Sequence, residues 1–207
     1  MSEYLRPKAL RLGDKVGVIA PSFPSAVWFP RRLQASLDES VESANPFRWQ
    51  DIDTGAHFAK GRHILFGLPG AFTPTCSNEQ CPGFERWHAD FCAAGVCDIH
   101  CISVNDAFVM FNWAKQLGVK KIKMLPDGSG AFTRRMGMLI NKDHFGFGMR
   151  SWRYTAIIDD GVVVQMFVEP GINDDGSDAD PYGESTPEKA LEWVKAHPYK
   201  GVLAKAA

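Results

Sequence analysis

The sequence predicts an α/β fold, because strand-like and helix-like segments alternate from about residue 45 onward. Short apolar runs at 62–68 and 99–104 have the length of buried strands. Apolar residues within 107–117 recur at the spacing of a helix face. An Asp-Asp-Gly turn at 159–161, between two runs rich in valine and isoleucine, is typical of a β-hairpin. Hydrophobic residues make up 45% of the 207-residue chain, so a packed core is expected.

A helix is predicted directly after the first of these strands. Thr73 stands at the N-cap position and Pro74 at the first helical position, which places Cys76 in the first turn. Three aromatic residues continue at helical spacing, and Gly95 ends the segment: Phe84, Trp87 and Phe91. Because Pro82 lies inside this helix, we expect a kink near it.

The remaining elements follow from local signals. Asn105 and Asp106 cap the helix that Gly118 ends, and Thr186 and Pro187 begin a last helix that stops before Pro198. A Gly- and Asp-rich loop precedes that last helix. The other predicted segments are strands at 121–125, 154–158 and 162–168 and the loop at 171–185.

Composition excludes several classes of function. The formal net charge is −1, from 23 Lys and Arg against 24 Asp and Glu, which gives no sign of a nucleic-acid surface. No run of about 18 apolar residues predicts a membrane span. The first residues carry scattered charges and lack a secretory apolar stretch, so a cytoplasmic location is expected.

The five cysteines form neither a disulfide framework nor a zinc pattern. No Cys-x-x-Cys pair occurs, so no metal site is predicted: the cysteines are Cys76, Cys81, Cys92, Cys97 and Cys101. The histidines His88, His100 and His144 lack ligand spacing, and we interpret them as surface or hydrogen-bonded side chains. The Asp residues of loop 171–185 lack the EF-hand pattern and predict a solvated loop.

Cys76 is the cysteine whose position suggests a reactive thiol. A thiol reacts with peroxide only as the thiolate, and a helix N-terminus favours an anion. Thr73, three residues earlier, offers a hydroxyl that can serve both a backbone amide and a peroxide oxygen. The alternative interpretation is a plain helix start with a buried, inert cysteine, and these residues alone favour it.

Three segments, in this order, resemble type II (atypical) peroxiredoxins: residues 65–77 (LFGLPGAFTPTCS), 101–109 (CISVNDAFV) and 150–154 (RSWRY). The resemblance extends over residues 45–199. It implies a thioredoxin-like fold, with a central mixed β-sheet flanked by helices, in a peroxiredoxin domain spanning 45–207. It also implies hydroperoxide reduction and a homodimer.

The same resemblance implies roles for individual residues. Cys76 would be the peroxidatic cysteine, reachable by peroxide, and Thr73 the hydroxyl that positions the peroxide. Pro69 and Pro74 would shield the sulfur, and Arg153 would stabilise the thiolate and polarise the peroxide. Arg150 is the competing arginine; we favour Arg153 because it immediately precedes a predicted strand that can hold it rigidly.

The implied cycle passes through a cysteine sulfenic acid and needs no cofactor or metal. Cys101 resembles the resolving cysteine of plant type II enzymes, although it falls in a predicted strand. A one-cysteine cycle, recycled by glutathione with glutaredoxin, is the alternative, and thioredoxin is a further reductant. Two other functions stay open on the same fold: a thiol–disulfide exchange protein and a peroxide-sensing redox switch.

Residues 1–44 depart from this resemblance. Residues 1–40 resemble the start of an LD-carboxypeptidase, a cell-wall peptidase, most visibly at 6–22 (RPKALRLGDKVGVIAPS), but no catalytic triad of that family accompanies them. The segment has too few apolar residues for a core of its own, so we expect a loosely ordered N-terminal extension without peptidase activity.

Overall fold

The computed structural model describes residues 32–35, 47–50 and 52–201. Nine strands and five α-helices lie in these ranges, together with a π-helical turn at Cys76–Gln80 and a 3-10 turn at Asp143–Phe145. The strands are β1 Arg32–Ala35, β2 Phe47–Gln50, β3 Arg62–Gly67, β4 Val96–Ser103, β5 Lys123–Pro126, β6 Leu139–Asn141, β7 Met149–Ser151, β8 Tyr154–Asp159 and β9 Val162–Val168. The helices are α1 Thr54–His57, α2 Cys81–Ala93, α3 Ala107–Leu117, α4 Ala131–Arg135 and α5 Pro187–Ala196.

The centre of the domain is a five-stranded sheet in the order β5-β4-β3-β8-β9. Strand β3 pairs in parallel with β4 and antiparallel with β8, and β4 pairs in parallel with β5. The sheet is therefore mixed, and helices accompany it, so the predicted fold class is confirmed.

Alternate side chains of β3 belong to two separate cores, as the pleat of a strand requires. Ile64 and Phe66 pack in one core with α2, α3 and α5, where the Phe66 and Phe84 rings stack with centroids 4.2 Å apart. Leu65 packs on the opposite face with Phe58. Burial of each such side chain contributes about 1.5–3 kcal/mol, so these two layers hold the sheet rigid beneath the site.

The predicted elements with strong local signals are observed. The Asp106 carboxylate caps α3 by accepting from the Val109 amide, and Gly118 ends that helix with a φ of 69°. Strands β8 and β9 form the predicted hairpin around Asp160 and Gly161. Side-chain capping by Thr186 begins α5 as expected.

The helix that begins at Pro74 differs from a kinked α-helix. The Cys81 amide donates to the Cys76 carbonyl, five residues earlier, so the chain widens into a π-helical turn before Pro82. Pro82 then lies at the start of α2, where its missing N–H costs little. The expected irregularity is present, but it lies one turn earlier and includes Cys76.

Part of the predicted N-terminal extension is described. Strand β1 pairs antiparallel with β2, with Leu33 opposite Trp49. Residues 6–22, which carry the carboxypeptidase resemblance, lie outside the described residues, and the boundary at residue 45 stays a prediction. Among the described residues, no helix combines the length and apolar character needed to cross a membrane.

Candidate active site

The Cys76 segment begins where β3 ends. Gly67 passes so close to Tyr154 that a Cβ atom there would lie 2.2 Å from the ring, so only glycine fits. The following loop is fixed by side chains of its neighbours, because the Ala71 amide donates to Asn105 Oδ1 at 3.0 Å. The Ser77 amide donates to the Thr73 carbonyl at 3.0 Å and begins the helix that carries Cys76.

Thr73 lies three residues before Cys76, but its side chain turns back into the loop. Its hydroxyl donates to the Gly70 carbonyl at 2.8 Å instead of capping the helix. The oxygen keeps its acceptor capacity in this arrangement. Thr73 also lines an open pocket of about 160 Å³.

This pocket lies beside the Cys76 loop. Its walls come from that loop, from the 3-10 turn and from loop 171–185: Pro69, Thr73, Pro74, Lys142, Phe145, Phe147 and Asp180. The side chain of Cys76 itself is 0% exposed. The sulfur is thus less accessible than expected from the sequence, because the helix turn and Arg153 cover it.

Arg153 contacts the sulfur of Cys76. Its Nη1 lies 3.5 Å from Cys76 Sγ and donates to Gln80 Oε1 at 2.6 Å. Its Nη2 donates to Asp180 Oδ2 at 2.7 Å, and its Nε donates to the Pro181 carbonyl at 3.1 Å. The residue is 1% exposed and immediately precedes β8, so the guanidinium is held on every side.

The charge of Arg153 is secured by its neighbours. Burial by itself lowers the pKa of a guanidinium, but the Cys76 sulfur and the Asp180 carboxylate raise the pKa of Arg153 above its usual value. Arg153 therefore stays a cation inside the protein and presents its positive charge to the sulfur.

Arg150 occupies a different position. Its Nη1 donates to the Val104 carbonyl at 2.8 Å and its Nε donates to the Phe147 carbonyl at 2.9 Å. Burial lowers the pKa of Arg150. Arg150 thus ties the 3-10 turn region to the end of β4, whereas Arg153 contacts Cys76.

Two residues at this site were not singled out from the sequence. Gln80 is fully buried, and its Nε2 donates to the Gly67 carbonyl at 3.3 Å while its oxygen accepts from Arg153. Its position four residues after Cys76, on the same helix face, is the signal that could have found it. Asp180 comes from loop 171–185 and gave no signal of its own.

The prediction that loop 171–185 is solvated is wrong for part of its length. The Asp178 side chain is 1% exposed and pairs with Lys142 Nζ at 2.5 Å. Asp180 pairs with Arg153. The reason is tertiary: two buried cations need carboxylate partners, and this loop supplies both.

None of the five cysteines forms a disulfide, and they differ in burial. Cys101, on β4, is fully buried, and burial together with a hydrogen bond to Cys81 raises the pKa of the Cys101 thiol well above its usual value. Cys76, Cys81 and Cys101 lie in the same hydrophobic core. Cys92 is exposed and Cys97 half-buried. A buried, protonated thiol is a poor nucleophile, so Cys101 is not poised for attack in this conformation.

Comparison with known proteins agrees with this geometry. The Redoxin family matches residues 47–182, which include the whole Cys76 segment and Arg153. A peroxiredoxin of Rhizobium etli is 54% identical over 159 residues, which are 77% of this chain and 88% of that protein. This chain belongs to the peroxiredoxin family.

Two further peroxiredoxins extend the comparison. The Synechocystis peroxiredoxin sll1621 is 47% identical over 184 residues, 89% of this chain and 95% of that protein. The crystal structure of the Plasmodium falciparum antioxidant protein, a 1-Cys peroxiredoxin, is 39% identical with a TM-score of 0.68, covering 72% of this chain and 86% of that one. The predicted thioredoxin-like fold is confirmed, and the chain is a peroxiredoxin-type thiol peroxidase.

Proposed function

We propose that this peroxiredoxin reduces hydrogen peroxide and alkyl hydroperoxides through a sulfenic acid on Cys76. The observation that carries the proposal is the contact between Arg153 Nη1 and Cys76 Sγ at 3.5 Å. A guanidinium beside a buried sulfur favours the anionic form, and the thiolate is the form that attacks peroxide.

In the first step the thiolate attacks the terminal oxygen of the peroxide. An S–O bond forms as the O–O bond breaks, and sulfur is oxidised by two electrons while the peroxide is reduced. The departing oxygen takes up one proton from solvent, equal to the one that the Cys76 thiol released on ionising, and leaves as water or alcohol. Negative charge moves from sulfur to the departing oxygen. The fork of the Arg153 guanidinium can donate to both atoms and so stabilises this charge as it moves.

Thr73, Pro69 and Pro74 have positioning roles in this proposal. The Thr73 oxygen accepts a hydrogen bond from the entering peroxide while its own O–H donates to the Gly70 carbonyl. The two prolines line the same pocket and bring no N–H group that would hold water there. The peroxide is thereby oriented with few competing solvent contacts.

Gln80 and Asp180 act through Arg153. Each accepts a short hydrogen bond from the guanidinium, at 2.6 Å and 2.7 Å, and together they set the direction in which Nη1 points. Because the donor must face the position where charge develops, a small rotation of Arg153 lowers the rate.

For recycling, the proposal favours external reduction over resolution by Cys101. The Cys101 thiol is fully buried on a central strand, and its raised pKa keeps it protonated. Glutathione with glutaredoxin, or thioredoxin, would reduce the sulfenic acid. The 1-Cys designation of the related Plasmodium protein supports the same route. Resolution by Cys101 stays the alternative, because Cys76 and Cys101 share one hydrophobic core.

A homodimer and a cytoplasmic location are part of the proposal. Three large aromatic side chains lie at or near the pocket and are exposed: Phe72 at 50%, Phe145 at 52% and Phe147 at 39%. An apolar rim of this kind is typical of a surface that a second protein copy covers. Sedimentation of the wild type and of Phe145→Glu tests the homodimer, which is expected only for the wild type.

The experiment that tests the function is peroxide consumption with a glutathione–glutaredoxin or a thioredoxin recycling system. Sustained turnover that Cys76→Ser abolishes is expected. A single oxidation without turnover would indicate a peroxide-sensing switch, and activity on disulfides without peroxide would indicate a thiol–disulfide exchange protein. Mass spectrometry of wild type and Cys101→Ser after one equivalent of peroxide separates the two recycling routes: a Cys76–Cys101 crosslink would contradict external reduction.

A further inference from the structure

Three side chains with metal-binding atoms meet on one face of the paired strands β3 and β4. They are His63, Asp98 and His100, and their nearest ligand atoms all lie within 4.8 Å of one another. The strand register explains the meeting, because His63 is paired with Asp98 and His100 lies two residues further along the same face of β4. The peroxidase mechanism uses none of them.

We propose that His63, Asp98 and His100 form a binding site for a divalent transition-metal ion, with Zn²⁺ as the best fit. His100 Nε2 and His63 Nδ1 lie 3.4 Å apart. Zinc–nitrogen bonds of about 2.0–2.1 Å in tetrahedral geometry place two nitrogen ligands roughly 3.3–3.4 Å apart. One ion between the two rings would therefore bind both nitrogens with little movement.

The tautomer of His63 is already suited to a metal. Its Nε2 lies 2.9 Å from the Lys60 carbonyl, an acceptor that requires the proton to be on Nε2. Nδ1 is then the unprotonated nitrogen and accepts a hydrogen bond from His100 Nε2–H. An ion between the rings would replace that hydrogen, with the proton of His100 moving to its Nδ1. Metal-binding histidines in proteins are oriented by the same kind of hydrogen bond from the second ring nitrogen.

Both imidazoles are held inside the protein. His63 is 5% exposed and His100 is 0% exposed. The His57 ring packs edge-on against His100, with centroids 4.8 Å apart, and so holds the plane of that ring. A fixed pair of imidazoles loses little freedom when an ion binds.

Asp98 supplies the third ligand, and its partly exposed side chain is where an ion would enter the site from solvent. Its side chain is 27% exposed and at present pairs with Lys123 Nζ at 2.7 Å. A divalent ion would compete with that ammonium for the carboxylate, and the two positive charges would repel each other. Lys123 therefore weakens the affinity of the site, and solvent on the Asp98 side provides the fourth ligand position.

The site is separate from the peroxidase centre. His63 stands at the amino end of β3, whereas the Cys76 loop begins beyond Gly67, roughly 13 Å further along the strand. Zinc has no redox chemistry, so the expected effect of the ion is to fasten β3 to β4 and raise the stability of the folded state. The two histidines are 37 residues apart in sequence, and no local spacing indicates the site.

Zn²⁺ titration by calorimetry on the full chain tests the proposal, in a Cys92→Ser background, because exposed Cys92 lies 3.6 Å from His88 and could bind zinc by itself. One Zn²⁺ per chain is expected. His63→Gln should abolish binding and Asp98→Asn should weaken it by about tenfold or more. Lys123→Met should strengthen binding severalfold, and the matched control His197→Gln, an exposed histidine on another element, should leave it unchanged.

Zinc binding that is equal in the His63→Gln, Asp98→Asn and parent proteins would overturn the proposal, and so would the absence of zinc binding by the parent. Circular dichroism and peroxide consumption show whether each variant is folded. If His63→Gln does not fold, Asp98→Asn decides the matter, since its partly exposed side chain tolerates substitution. Thermal unfolding with and without Zn²⁺ should show a clear stabilisation of the parent and a smaller one of Asp98→Asn at the same concentration.

Discussion

Arg153 points Nη1 at the Sγ atom of Cys76 across 3.5 Å, and both residues are almost entirely withdrawn from solvent. Where water is excluded, a charge interacts strongly with its partner and is costly without one. The sulfur, the guanidinium and the Asp180 carboxylate therefore form one electrostatic unit.

Thr73→Val should slow the oxidation of Cys76 by peroxide by about 10- to 100-fold, because valine keeps the shape of the side chain but has no oxygen to orient the substrate. Stopped-flow fluorescence or competition with a second peroxidase measures the rate constant. Thr75→Val, in the same helix turn but outside the pocket lining, is the matched control and should be close to wild type. Equal rates in the two variants would remove Thr73 from the mechanism.

Asp180→Asn should lower the oxidation rate by about tenfold, since the neutral amide holds the Arg153 guanidinium less firmly than the carboxylate at 2.7 Å. Asp175→Asn, an exposed position in the same loop, is the control and should have no effect. The rate constants of the variant with small and with bulky peroxides should fall by a similar factor, because the change acts through Arg153. A loss confined to bulky peroxides would instead assign Asp180 to the pocket wall.

Much of the scaffold could be predicted from local sequence, because caps and turns act over a few residues. Asp106 and Gly118 bound α3 by their own side-chain and backbone preferences, and Asp160 with Gly161 forms a hairpin turn. The resemblance placed Cys76 and Arg153 in one site, and the structure brings them together.

What the sequence could not predict depends on tertiary contacts. Gln80 meets Arg153 only because a π-helical turn and the start of β8 converge, and Asp180 arrives from a loop with no periodicity. His63 and His100 meet through the register of two strands. Such pairs are set by packing, and neither composition nor spacing records them.

Cys101 should resist alkylation in the native protein. Its thiol is buried and its pKa is raised, so little thiolate forms and iodoacetamide has no access. Exposed Cys92 should be labelled under the same conditions, and both should be labelled after unfolding. Peptide mass spectrometry over a time course measures the extent of alkylation at each cysteine. Labelling of Cys101 as fast as Cys92 would show local unfolding and would favour resolution by Cys101.

Glu169→Gln should destabilise the fold by roughly 1–3 kcal/mol at neutral pH. Glu169 accepts hydrogen bonds from the Gly183, Glu184 and Ser185 amides and from the Ser185 hydroxyl, and so fastens the end of the loop that carries Asp180. Burial opposes the charge of Glu169, but these bonds outweigh burial and lower its pKa.

The pH dependence of this effect follows from the sign of the shift. Because the pKa of Glu169 is lower in the folded state, its stabilising contribution is present above the unfolded value of about 4.3 and is lost as the pH falls through the folded value. Urea denaturation at several pH values should therefore show the difference between Glu169→Gln and wild type shrinking only below about pH 4. A difference that is constant down to pH 3 would contradict a role for the ionised carboxylate.

The pairing of Cys76 with Arg153 is tested most directly by the second-order rate constant for oxidation of Cys76 by hydrogen peroxide in Arg153→Met and Arg150→Met. The first should lose about 100-fold or more, since it removes the donor that faces the reacting sulfur. The second should stay near wild type, because Arg150 donates to the Val104 and Phe147 carbonyls. Equal losses in the two variants, or an Arg153→Met protein as fast as wild type, would contradict the role assigned to Arg153.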